Sequence, residues 1–129
     1  MNTILTLAIF SILASADPSR PITVKAKNSK CSIKSSGGEY PTFKVLRGKE
    51  IIYTPSSDGI VNALISLDGK YVALGAGETE LIEDFGVMVI NCATGQRKGF
   101  LPNKATFLKQ WTKDKLIVDG AEISAESFP

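Results

Sequence analysis

Between Ile65 and Gly77 the chain reads ISLDGKYVALGAG: an apolar run, an Asp-Gly pair, and a second apolar run that ends in glycines. Asp-Gly between two such runs is a hairpin signal, because both residues tolerate the left-handed backbone that a tight turn needs. The flanking segments, Ile60–Leu67 and Lys70–Leu74, are almost continuously apolar instead of alternating with polar residues. A strand of that composition is covered on both faces. Whatever the chain folds into must place apolar layers on either side of this hairpin.

The rest of the sequence supplies short β-branched runs separated by turn residues, the spacing of an all-β domain. Strands are expected at Ile22–Lys27, Cys31–Ser35, Thr42–Leu46, Glu50–Thr54, Ile60–Leu67, Lys70–Leu74, Gly86–Ile90, Arg97–Leu101, Ala105–Trp111 and Lys115–Asp119. Gly86–Ile90 is again apolar throughout, whereas Arg97–Leu101 is half polar and suits an edge strand, where cationic side chains discourage unwanted pairing. A gradient from buried to exposed therefore runs across four sequential strands. A shift of 45 residues places KYVALGAGE (Lys70–Glu78) over KLIVDGAEI (Lys115–Ile123), an interval close to the blade period of a β-propeller.

SLDGKYVAL followed by GVMVINCATGQ resembles the repeat of WD40-like β-propellers. The resemblance covers one full blade, Ile60–Leu101, and half of another, Ala105–Asp119, and lacks the Trp-Asp dipeptide. It implies antiparallel, blade-like sheets packed face to face in an incomplete, propeller-like stack; a plain β-sandwich is the alternative.

The N-terminus is expected to lie outside this domain. Ile4–Ala14 is apolar and uncharged, and Ala14-Ser15-Ala16 offers small residues at the −3 and −1 positions of a signal-peptide cleavage site. Residues 1–16 are thus expected to be a leader, with residues 17–129 forming one all-β domain. That points to a periplasmic or secreted product without a membrane span, since the run is shorter than the ~20 apolar residues a span requires. The alternative is a buried N-terminal strand or helix. In an oxidising compartment the two cysteines, Cys31 and Cys92, are expected to pair.

Most enzyme chemistry is excluded by composition. The chain has no histidine, which removes Ser-His-Asp and Cys-His nucleophiles and imidazole metal ligation. GAGE at Gly75–Glu78 lacks the Lys and Ser/Thr of a phosphate-binding loop. A net charge of +2 is far from a nucleic-acid footprint. No catalytic residue, metal or cofactor is therefore expected.

Carboxylates remain, concentrated in GETELIEDFG, Gly77–Gly86. Glu78, Glu80, Glu83 and Asp84 there surround Leu81 and Ile82, which could form an apolar plug with a charged rim. Alternatively Leu81 or Ile82 folds back onto the sheet and only the acids are exposed. Residues 17–49 contrast with this loop, holding eight Lys/Arg against two acids. These features point to an exported binding protein that inhibits or neutralises a protein partner by inserting this loop. The partner-binding residues are then Glu78, Glu80, Leu81, Ile82, Glu83 and Asp84. The chain loosely resembles the propeller-like immunity proteins that act against type VI secreted peptidoglycan amidases, and that resemblance implies that the partner is a secreted peptidoglycan (cell-wall) hydrolase whose cleft the loop occludes. A structural module of the cell envelope and a carboxylate-dependent hydrolase are the alternatives.

Overall fold

A computed structural model describes residues 11–13, 22–25, 30–35, 42–55, 60, 62–77 and 80–129. Among the described residues the protein is all-β, with twelve short strands in three antiparallel sheets. The central sheet has the order β1 (Ser11–Leu13), β6 (Asn62–Ile65), β7 (Tyr71–Gly75), β8 (Phe85–Asn91) and β9 (Arg97–Pro102). A first outer sheet is the meander β2 (Ile22–Lys25), β3 (Cys31–Ser35), β4 (Phe43–Arg47) and β5 (Glu50–Tyr53). The second outer sheet is β10 (Leu108–Trp111), β11 (Lys115–Val118) and β12 (Ala121–Ser124).

The apolar runs of the central strands are explained by a core on each face. Side chains alternate across a strand, so neighbouring residues serve opposite layers. Ala63, Ile65, Val72, Leu74, Met88 and Ile90 pack with Cys31, Ile33, Phe43 and Val45 of the first outer sheet. Leu64, Ala73, Val87 and Val89 pack with Leu108, Trp111, Leu116, Val118 and Ile123 of the second. Trp111 is buried and donates its indole N–H to the Leu64 carbonyl at 3.2 Å. The three sheets are blade-like layers, and among the described residues they close no propeller ring.

The Asp-Gly hairpin forms as its residues demand. Gly69 takes the left-handed φ of 75°. The Asp68 carboxylate accepts from the Lys70 backbone N–H at 3.0 Å and from the Ser66 hydroxyl at 2.8 Å, satisfying the turn locally. The 45-residue repeat has a counterpart as well, since β10 and β11 follow one another in the outer sheet as β6 and β7 do in the central one. Two differences stand out. Ala121–Ser124 forms an unanticipated twelfth strand, paired with β11 after a turn at Gly120, whose φ is 81°. Ser11–Leu13, inside the expected leader, pairs antiparallel with β6, Ile12 lying opposite Ala63.

Two ties hold the first outer sheet to the central one. Cys31 of β3 and Cys92, just beyond β8, form the expected disulfide across 61 residues. Beside it Arg47, which pairs with Cys31 across β3 and β4, donates to the Ala93 carbonyl at 2.7 Å. The second tie lies at the acidic loop.

Candidate functional site

The acidic loop is a tight hairpin. Ile82 and Phe85 exchange two backbone hydrogen bonds, each 2.8 Å, which leaves Glu83 and Asp84 as the two residues of the turn. Both have positive φ, 50° and 75°. A two-residue turn of this mirror-image type matches the twist of the strands it joins, but it normally takes Asn-Gly or Asp-Gly. Glu-Asp adopts it at a cost, because a side chain crowds the backbone in the left-handed region.

Leu101 and Asn103 also have positive φ, 58° each, and they are the only other non-glycine residues so placed among those described. Leu101 lies near the end of β9 and Asn103 in the turn that follows it, and the Asn103 N–H donates to the Asp84 carbonyl at 2.9 Å. Both strained turns therefore meet at one tip. Each such residue costs on the order of 1–3 kcal/mol, and strain of this kind collects at functional sites.

Side chains fix the tip from beneath. Arg97, at the start of β9, grips Glu83 with two bonds, Nε to Oε2 at 2.8 Å and Nη2 to Oε1 at 3.1 Å. The buried Tyr53 of β5 donates its hydroxyl to the same Oε2 at 2.5 Å. The Arg97 guanidinium also lies over the Tyr53 ring, 5.1 Å from its centre. Arg97 first, then Tyr53, holds the Glu83 carboxyl below its ordinary range. Burial, then the Glu83 carboxylate, pushes the Tyr53 phenol well above its usual value of 10.0.

A pH dependence follows from Tyr53. A folded pKa above the unfolded one means that the unfolded state loses its proton first as pH rises. The contribution of Tyr53 is thus complete below pH ~10 and fades as pH climbs toward the folded value. In an ultraviolet titration one of the three tyrosines should ionise only as the protein unfolds. Tyr53→Phe should remove that part of the alkaline sensitivity and cost about 1 kcal/mol at neutral pH, the worth of one hydrogen bond.

The residues anticipated for partner binding are divided by the structure. Ile82 is fully buried in the core between the central and first outer sheets, so it is an anchor and cannot be the exposed plug. Its period-2 relation to the sheet turns it inward, and that leaves its neighbour Leu81 half-buried. Glu80, Glu83 and Asp84 are exposed. Glu78 lies outside the described residues. Tyr53, Arg97, Leu101 and Asn103 were not anticipated from the sequence.

Among the described residues no group of three or more His, Cys, Asp or Glu is placed to hold a metal ion. No helix among them is long and apolar enough to cross a membrane. No known protein family, curated protein or solved structure matches this chain.

Proposed function

We propose that this is an exported binding protein that engages a protein partner through the tip at Glu80–Phe85 and Leu101–Asn103. One observation carries the reading: four non-glycine residues in left-handed conformations converge on a single exposed, acidic point. A fold that only had to be stable could place glycine at these positions, or asparagine at the three that lack it, and relieve the strain. The strain is instead supported by Arg97 and Tyr53, which rigidify the tip before any partner arrives. Pre-organisation of that kind lowers the ordering cost of association.

The chemistry of the tip suits a concave partner with a cationic wall. Its leading edge is a two-residue turn with the Glu80 and Asp84 carboxylates exposed and Leu81 half-exposed beside them. A narrow acidic hairpin can enter an enzyme cleft, and a secreted cell-wall hydrolase is the partner class we favour. The protein then acts by occlusion and has no turnover of its own.

The test is recovery of a partner from envelope and secreted fractions with the exported protein as bait. Asp84→Asn, which keeps a residue suited to the left-handed turn, and Glu80→Lys and Leu81→Asp should each reduce recovery at least tenfold while the melting temperature stays within about 2 °C. Recovery unaffected by all three, or lost instead on changing the β5 edge residue Ile51, would assign binding to a strand edge. Glycan cleavage by the purified protein alone would overturn the reading altogether.

A further inference from the structure

We infer that removal of the leader uncovers the β6 edge of the central sheet as an acceptor for one extended, uncharged segment of a protein partner. The inference rests on the export reading above and concerns a different surface from the tip. In the full chain β1 occupies this edge, with Ser11, Ile12 and Leu13 opposite Leu64, Ala63 and Asn62. Cleavage after Ala16 would take that strand away.

What it would leave can be read from the ladder. The Ser66 N–H donates to the Tyr71 carbonyl at 2.9 Å, so the backbone groups of Ser66 and, by alternation, Leu64 and Asn62 face β7. Those of Ala63 and Ile65 face β1. With β1 in place both residues are buried, and its loss would leave these edge-facing N–H and C=O groups without a strand partner.

This edge is also unguarded. The other strand edges of the described sheets carry charge: Lys25 in β2, Glu50 in β5, Arg97 and Lys98 in β9, Lys109 in β10 and Glu122 in β12. Such side chains deter pairing with a foreign strand. Asn62–Ile65 has neither a charge nor a proline, and all four side chains are buried.

The occupant is argued from what stands beside the slot. β10 lies over β6, with the Asn62 amide donating to the Leu108 carbonyl at 3.1 Å and the Trp111 indole donating to Leu64. The edge is therefore walled on that face, and a recess of this kind admits a single strand more easily than a second folded sheet. The strand seated there in the full chain, Ser-Ile-Leu, shows the class that fits: short, extended and uncharged. Strand addition at an open edge is an established mode of peptide recognition.

The experiment starts with the protein as cells export it. Its intact mass reports whether residues 1–16 are gone, which tests the export reading by itself. A peptide of residues Ile9–Ser15, flanked by lysines for solubility, is then titrated while amide exchange is followed. Saturable binding with at least tenfold slower exchange at Ala63 and Ile65 is expected, together with no binding to chain that retains its leader. The same peptide with Ile12→Pro, which lacks the donor opposite Ala63, should not bind. Cleaved protein that ignores the peptide, or that already protects both amides, overturns the acceptor edge. Self-association that protects them assigns the slot to a second copy and overturns the partner segment, and exported protein that retains Ser11–Leu13 overturns the uncovering.

Discussion

Reduction of the Cys31–Cys92 disulfide should lower the stability of the protein by about 4 kcal/mol, the chain-entropy value for a loop of some 60 residues. For a chain of this size that corresponds to a fall in melting temperature on the order of 20 °C. The bond spans 61 residues and joins β3 of one sheet to the end of β8 in another. Both sulfurs are buried in the core the two sheets share, so the crosslink acts where the layers must stay in register. Without it, this end of the interface keeps the apolar contacts and the Arg47 bond to the Ala93 carbonyl. A double Cys→Ala variant is the better probe than Cys→Ser, which would bury two hydroxyls. Its melting temperature should match that of the reduced protein and should not respond to reductant. A shift of less than about 4 °C, some 1 kcal/mol, would mean that the apolar interface alone sets the register.

The layered architecture was legible because burial on two faces leaves a mark in composition. Ile60–Leu67 and Gly86–Ile90 have no polar alternation, and the structure covers both faces of those strands. Strand boundaries moved by a few residues where the ladder stops short of the apolar run, as at Asn62–Ile65. β12 was missed because AEIS has only one strongly apolar residue, Ile123, and gains its strand character from pairing with β11. The tip was half legible. A run of acids around two aliphatics marked the right loop, but nothing local distinguishes Leu81 from Ile82. The hairpin at Glu83–Asp84 was hidden because its turn residues are not those such a turn favours. Its support was hidden as well: Arg97 is 14 residues away and Tyr53 30, and only the packing of two sheets brings them together. β1 is the reverse case. The apolar run at Ile4–Ala14 has the composition of a leader, and pairing with an uncharged edge gives three of its residues a second role.

Gly86→Ala should destabilise the protein by at least about 3 kcal/mol, at the upper end of overpacking costs, and should disorder the tip with it. Gly86 lies in β8 two residues beyond the Glu83–Asp84 turn, where the segment between β9 and β10 crosses closely over it. A Cβ there would sit 1.8 Å from the Lys104 carbonyl oxygen and 2.6 Å from the Thr106 hydroxyl. A backbone carbonyl cannot rotate aside, and this one belongs to a segment held in place. Gly86 itself accepts from the Ala76 N–H, and the Thr106 carbonyl accepts from the Gly77 N–H, each at 2.9 Å. Relief requires moving residues 104–106, and that motion pulls on Asn103, whose N–H ties the second strained turn to Asp84. Two other glycines give the scale. At Gly95 the φ is 78° and the space is open, so alanine there should cost only about 1–2 kcal/mol of left-handed strain. At Gly99 the new atom would meet Phe85 Cδ2 at 2.1 Å and Cγ at 2.2 Å; turning the ring leaves Cγ in place, so the whole side chain must swing aside, which a backbone carbonyl cannot do, and an intermediate loss is expected. Urea midpoints should therefore fall in the order Gly95→Ala, Gly99→Ala, Gly86→Ala, and partner recovery should fail first for Gly86→Ala. Equal midpoints for the Gly86 and Gly95 variants would show that the crossing over β8 is looser than drawn, and the tip would lose its rigid footing.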